Sequence, residues 1–321
     1  MMRNTSTSAL AGLLTTCALL LTACGESGTT AERTTESVLD DAMTASNQAA
    51  VTVTRIGYPT TDGTDPDQDY GDLYLPAGPQ QPDSIPLVVL IHGGAWMSNL
   101  GADLFNPFAQ DLAAKGMAVY NIEYRRVGSG GGWPQTFEDV AAALDNVAAI
   151  DQKYPQLNEK DALVVGHSAG AQLAVWAGTR HRLGGNELGA NPRFRPTKVI
   201  SLAGPLDMVQ AVANGDQNIV RALGGTPAEH PDRYTSVDPI QNIDPDTPVI
   251  AIHGTNDRVV LPSLSQRYIA ALENDNGSGQ VILLDGQDHV SIVSSDSPAY
   301  GRIIEVIGGA ANMTAEQLSA N

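Results

Sequence analysis

The chain has 321 residues, 42% of them hydrophobic and 17% charged, enough to bury one large core. Its formal net charge is −18, from 18 basic and 36 acidic side chains, a surface that repels phosphate backbones and anionic lipid heads. Nucleic acid is therefore excluded as an expected partner. The two cysteines, Cys17 and Cys24, both lie near the N-terminus, so no disulfide framework is expected in the body of the chain.

At the N-terminus, Arg3 precedes an apolar run that ends in Leu-Thr-Ala-Cys at residues 21–24. The run is short for a membrane span and suits the apolar region of a signal peptide. It resembles a bacterial lipoprotein signal, with Leu21, Ala23 and Cys24 matching the site where the peptidase cuts and the thiol takes lipid. That resemblance implies a signal segment over 1–23, a lipidated Cys24 and a body held outside the cytoplasmic membrane. An ordinary secretory signal or an uncleaved anchor is the alternative. Residues 24–50 are rich in Ser, Thr, Ala and Glu and read as a flexible tether to a folded domain over 51–321.

From residue 51 short apolar runs alternate with helical patterns. VTVTRI (51–56) and YGDLYLP (70–76) are expected to pair antiparallel around an Asp- and Gly-rich turn. LVVLIH (87–92) reads as a buried parallel strand, ADLFNPFAQDLAAKG (102–116) as a helix closed by Gly116, and MAVYNIEY (117–124) as the next strand. FEDVAAALDNVAAI (137–150) reads as one helix. The strand ALVVG (162–166) and the helix AGAQLAVWAGTRH (169–181) follow. VISLAGP (199–205), PVIAIHG (248–254) and VILLDG (281–286) are further strands, with LSQRYIAALEN (264–274) and a last helix over 297–311. This alternation predicts an α/β fold with a mostly parallel, doubly wound sheet. Residues 206–246 separate two strands by far more than an ordinary loop and are expected to form a lid or substrate wall.

The chemistry centres on VVGHSAG (164–170), a G-x-S-x-G match between a strand and a helix. Gly166 and Gly170 permit the sharp turn that lifts a serine hydroxyl above a sheet, which makes Ser168 a candidate nucleophile. IHGGAW (91–96) follows an earlier strand, and the backbone N–H groups of Gly93, Gly94 and Ala169 could receive the oxyanion of an acyl-transfer reaction. His92 is expected to anchor that loop, and Trp96 to serve as core or pocket wall. Of the histidines after Ser168, His289 lies in the loop following a late strand, where a base can reach the serine. His253 sits within a strand and His230 within the insertion. Asp257 occupies the loop after PVIAIHG and is the expected acid, ahead of Asp288 and Asp246.

Taken in this order, IHGGAW, GHSAG, HGTND and the GQDH loop resemble the α/β-hydrolase superfamily. Its small-esterase branch, with kynurenine formamidases and bifunctional feruloyl and acetyl xylan esterase-like proteins, is the nearest in detail. DLYLP (72–76), SLAGPLD (201–207) and LGGTP (223–227) are similar to that branch as well. The resemblance implies an α/β-hydrolase fold with a cap-like insertion, Ser168 as nucleophile, Asp257 as acid and His289 as base. It also implies an oxyanion hole at Gly93, Gly94 and Ala169. The expected activity is cleavage of a small-molecule carboxylic ester, with no cofactor and no metal. Many relatives carry a third glycine where Ala95 stands, which disfavours bulky tertiary-alcohol esters. A peptidase of prolyl-oligopeptidase type and a non-catalytic binding protein on the same scaffold are the alternatives.

Three further signals are weighed. GSGGGW (128–133) lacks the residues of a phosphate-binding loop and reads as a turn before a helix, with Trp133 near the acyl pocket. DPDQDYGD (65–72) misplaces the glycine and glutamate of a calcium loop and reads as a solvated turn. Tyr124, Arg125 and Arg126 at a strand end are assigned to ion pairing within the fold.

Overall fold

The computed structural model describes residues 50–61 and 63–320; the expected signal segment, Cys24 and all but the last residue of the tether lie outside them. Eight strands form one sheet: β1 (Thr52–Gly57), β2 (Tyr70–Leu75), β3 (Ile85–Ile91), β4 (Ala118–Ile122), β5 (Leu157–His167), β6 (Lys198–Leu202), β7 (Val249–Gly254) and β8 (Gly279–Leu284). Their spatial order is β1-β2-β4-β3-β5-β6-β7-β8. β1 and β2 are antiparallel as expected, β2 runs antiparallel to β4, and every pair from β4 to β8 is parallel. This is the mostly parallel, doubly wound sheet that the alternation of apolar runs predicts, in the α/β-hydrolase architecture that the motif resemblance implies.

Residue alternation divides the core between the two faces of the sheet. Leu87, Val89 and Ile91 of β3 point to one face, with Phe137, Val140 and Leu144 of α2 (Gln135–Asp145) and Leu173 and Trp176 of α4 (Ala169–Thr179). Val88 and Leu90 point to the other, with Phe108 and Leu112 of α1 (Asn106–Ala114) and Ile303, Ile304 and Ile307 of α9 (Tyr300–Ala311). Both faces are covered, so the parallel strands read as continuous apolar runs rather than as alternating ones.

The structure departs from the sequence reading in three helices. The run over 137–150 is two helices, α2 and α3 (Val147–Lys153), that meet at Asn146, whose backbone N–H bonds back to the carbonyl of Ala142. The segment 102–116 begins as a 3-10 helix, Ala102–Phe105, before α1. The last helix is followed by α10 (Ala315–Ser319), opened by a capping box in which Thr314 and Gln317 bond reciprocally. The insertion carries α5 (Met208–Ala213), α6 (Gln217–Leu223) and α7 (Pro231–Val237), and α8 (Pro262–Asn274) follows β7. Leu206, Met208, Ile219, Leu223, Tyr234 and Val237 of the insertion are buried in the main core. Much of it is therefore packed structure.

The glycines of the serine turn are dictated by contact. A Cβ on Gly170 would be driven into the backbone oxygens of Ile91 and His92, and one on Gly166 into the carbonyl of Gly170. No side-chain movement relieves a clash with backbone. Gly170→Ala should lower stability by at least about 3 kcal/mol, the upper end of ordinary overpacking penalties, read as a fall in the denaturation midpoint. Gly301 of α9 has open space around it, so Gly301→Ala should leave stability equal or higher. Equal behaviour of the two variants would overturn the packing account.

Candidate active site

β5 runs straight into the serine turn. Ser168 has φ 55° and ψ −121°, a conformation held by its N–H bond to the Leu202 carbonyl (2.8 Å) and by the start of α4 immediately after it. His289 comes from the loop after β8 and Asp257 from the loop after β7. The three side chains, widely separated in the chain, meet in one row: Ser168 Oγ lies 2.8 Å from His289 Nε2, and His289 Nδ1 lies 2.7 Å from Asp257 Oδ2.

Asp257 is held by more than His289. Its Oδ1 accepts from the N–H groups of Val259 (2.8 Å) and Val260 (2.9 Å), and His253 Nε2 lies 3.2 Å from its Oδ2. Burial pushes this carboxyl up. The bonds from His253 and His289, the charge interaction with His289 and the Val260 N–H outweigh burial and hold it well below the usual carboxylate range. His289 thus faces an ionised partner at any ordinary pH.

Gly93 approaches the serine closely: a Cβ there would sit 2.8 Å from the His167 carbonyl and 3.1 Å from Ser168 Cβ. Gly94, Ala95 and Trp96 follow with φ of 123°, 55° and 56°, three positive values in a row that turn the loop around the site. Gly93 and Gly94 line a cavity together with Ser168 and His289, and Ala169 is fully buried at the first turn of α4.

The BD-FAE family model matches residues 71–272, well over half of the chain. The chain belongs to the BD-FAE family. The matched segment contains Ser168 and Asp257, and His289 follows it. This BD-FAE chain is 23% identical over 247 residues to a probable isoprenylcysteine alpha-carbonyl methylesterase of Oryza sativa subsp. japonica, covering 72% of itself and 57% of the relative. Among solved structures, Esterase B of Lactobacillus rhamnosis is similar with a TM-score of 0.68 at 20% identity, covering 89% of this chain and 93% of that one. A bifunctional GH43-CE protein of Bacteroides eggerthii gives 0.64 at 28% identity, covering 76% and 34%. The chain thus spans little more than half the length of the rice protein and about a third of the Bacteroides one.

Around the BD-FAE site, sequence reasoning missed three supporting groups. Glu123, at the end of β4, ties the IHGGAW loop down: its carboxylate takes bonds from His92 Nε2 (3.0 Å) and the N–H groups of Ala102 (2.9 Å) and Tyr124 (2.8 Å). Arg126 pairs with Glu123 and also donates to the Leu100 carbonyl, while the Tyr124 ring stacks on His92 at 4.3 Å. His92 therefore anchors the loop as expected. His253 is the packed core residue expected of it, with Val260 O and Ser265 Oγ as partners, yet it also reaches Asp257. His167, the residue before Ser168, donates from Nε2 to the His289 carbonyl (2.9 Å) and so fixes the loop that carries His289. The only sequence signal for His167 and Glu123 was adjacency to a motif.

Other expectations fall elsewhere. Trp133 does not line the cavity; it packs on Phe137 with ring centroids 5.6 Å apart, and its backbone N–H bonds to the Ala222 carbonyl. Trp96 is core. Arg125 pairs with Asp139 (2.6 Å), as ion pairing within the fold requires. Asp288 accepts from the N–H groups of Val290 and Ser291 and shapes its own turn. The insertion contributes Asn218 to the cavity; its walls come mainly from residues 97–108 and 290–294.

Burial, then repulsion from His289, holds the His167 imidazole down at about 3 from an ordinary 6.5. The unfolded chain binds a proton there below pH 6.5 and the folded chain does not until pH 3, so this stability is full above 6.5 and lost as pH falls. His167→Gln keeps a donor toward His289 O and removes the titration. Between pH 8 and pH 5 the stability gap should move in the variant's favour by roughly 2 kcal/mol, read by chemical denaturation. A gap that does not change with pH would show that His167 is not held neutral.

Proposed function

We propose that the chain is a serine hydrolase that cleaves carboxylic esters through an acyl-enzyme. Its support is the unbroken row from Ser168 Oγ through the His289 imidazole to the Asp257 carboxylate, at 2.8 and 2.7 Å, on the floor of a cavity. Ser168 Oγ attacks the ester carbonyl while His289 Nε2 takes its proton, and Asp257 keeps the other imidazole proton on Nδ1 and stabilises the imidazolium. The N–H groups of Gly93, Gly94 and Ala169 receive the oxyanion, which backbone donors at a fixed loop and a helix start can do without reorganising. His289 returns the proton to the departing alcohol. It then activates water, which releases the acid and restores the serine hydroxyl. The rice relative and the Lactobacillus structure are named as esterases, which agrees with this reading.

Stoichiometric labelling by a fluorophosphonate, mapped to Ser168 by mass spectrometry, together with hydrolysis of p-nitrophenyl esters, is the expected result. A folded chain that takes no label and cleaves no ester would leave a binding protein on a hydrolase scaffold. The sequence around Cys24 extends the proposal to a lipid anchor outside the cytoplasmic membrane. Incorporation of radioactive fatty acid that survives Cys24→Ala would overturn that part.

A further inference from the structure

The substrate class can be narrowed by chemistry around Ser168, an inference that rests on the ester-hydrolase reading above. The cavity over Ser168 and His289 has a volume of about 610 Å³, within the range that accepts ligands far larger than an acetyl group. Among the described residues, no Asp, Glu, Lys or Arg lines this cavity. Leu104, Phe105, Phe108, Val290 and Val293 form apolar wall. A charged limb would lose its water there without finding a partner.

The wall is built rather than incidental. Phe105 and Phe108 are 5% and 3% exposed and meet edge to face at 5.8 Å, and Phe108 meets Tyr300 of α9 in the same way at 5.6 Å. The backbone before them is pinned at both polar groups of Ala102, by the Glu123 carboxylate on its N–H and the Asn121 amide on its carbonyl. At the mouth, Leu104, Val259 and Val290 are 54%, 70% and 66% exposed, clustered apolar surface of the kind that a ligand covers.

A second depression of about 530 Å³ abuts His289 and is lined by polar Asn256, Arg258 and Asp288; it shares Val259, His289 and Val290 with the first. His289 must hand its proton to the departing alcohol oxygen, so the alcohol limb leaves beside His289. The acyl limb, bonded to Ser168 Oγ in the intermediate, keeps the apolar cavity. We propose that the substrate joins an uncharged aliphatic acyl group, several carbons longer than acetyl, to a polar alcohol.

A p-nitrophenyl series from acetate to hexanoate tests the acyl limb. Burying each added methylene should raise kcat/KM about fourfold, on the order of 100-fold over the series. Leu104→Asp, at an exposed position, should cut the hexanoate-to-acetate ratio of kcat/KM at least about tenfold, with fluorophosphonate labelling as the check on folding. For the alcohol limb, glycerol monohexanoate should be cleaved with higher kcat/KM than hexyl hexanoate. Acetate cleaved as well as hexanoate, or an unchanged ratio in the labelled variant, overturns the acyl assignment. Preference for the hexyl ester overturns the alcohol assignment. Failure to cleave any ester, with no labelling, would instead sink the hydrolase reading itself.

Discussion

Ser168→Ala should lower kcat for a p-nitrophenyl ester by roughly 10⁴- to 10⁶-fold and abolish fluorophosphonate labelling, while the protein stays folded. The size follows from what the hydroxyl does: without Oγ no acyl-enzyme forms, and His289 has no proton to take across the 2.8 Å contact. Some rate above that of water should persist, since the oxyanion donors and the cavity remain. The fold should survive because the substitution removes only Oγ and keeps the Cβ, and alanine tolerates a positive φ elsewhere in this chain. Ser168 has φ 55°, and so does Ala95 in the neighbouring loop. The bond from the residue 168 N–H to Leu202 O is made by backbone and is kept. A purified variant with more than about a hundredth of wild-type kcat would mean that another nucleophile acts, and the role assigned to Ser168 would fall.

The sheet was legible because its inner strands are covered on both faces. Residues 87–91, 162–166, 199–202 and 249–254 are nearly free of polar side chains, and each is a strand with a neighbour in register. The start of β5 was not legible: Asn158, Glu159 and Lys160 look like loop, yet Leu157 and Asn158 pair with Ile85 and Pro86 of β3. The break at Asn146 was hidden for a similar reason, since apolar spacing continues across it while the helix stops. In the candidate site, Ser168, Asp257 and His289 could be read because each follows a strand in a fixed chain order. His167, His253 and Glu123 could not. What they do depends on contacts such as the one from His167 to His289, 122 residues away, which leave no local pattern. The apolar cavity wall failed to show for the opposite reason. Phe105 and Phe108 in a helical run look like ordinary core, and both do pack within the core as well as line the cavity.

Asp257→Asn should be nearly as damaging as loss of the serine, with kcat down about 10⁴-fold and the backbone unchanged, because it alters where one proton sits. Oδ1 of Asp257 accepts from two backbone N–H groups at 2.8 and 2.9 Å, so an asparagine keeps its carbonyl oxygen there and turns its amide nitrogen to the Oδ2 position. That nitrogen is a donor. It faces His289 Nδ1, which must then accept, and the imidazole proton moves to Nε2. An Nε2–H pointing at Ser168 Oγ cannot take the serine's proton, and attack slows accordingly. His253 loses its share of the carboxylate but keeps Val260 O at 2.9 Å, so the loop should hold. In the wild type the carboxyl, held well below its ordinary range, stays ionised as pH falls, and protonation of Asp257 should not appear in the kcat profile above pH 4. Rate measurements on the variant from pH 5 to 9 decide the matter. A kcat within tenfold of wild type across that span would mean that the tautomer of His289 is set by something other than Asp257, whose Oδ2 is the acceptor seen for Nδ1 among the described residues.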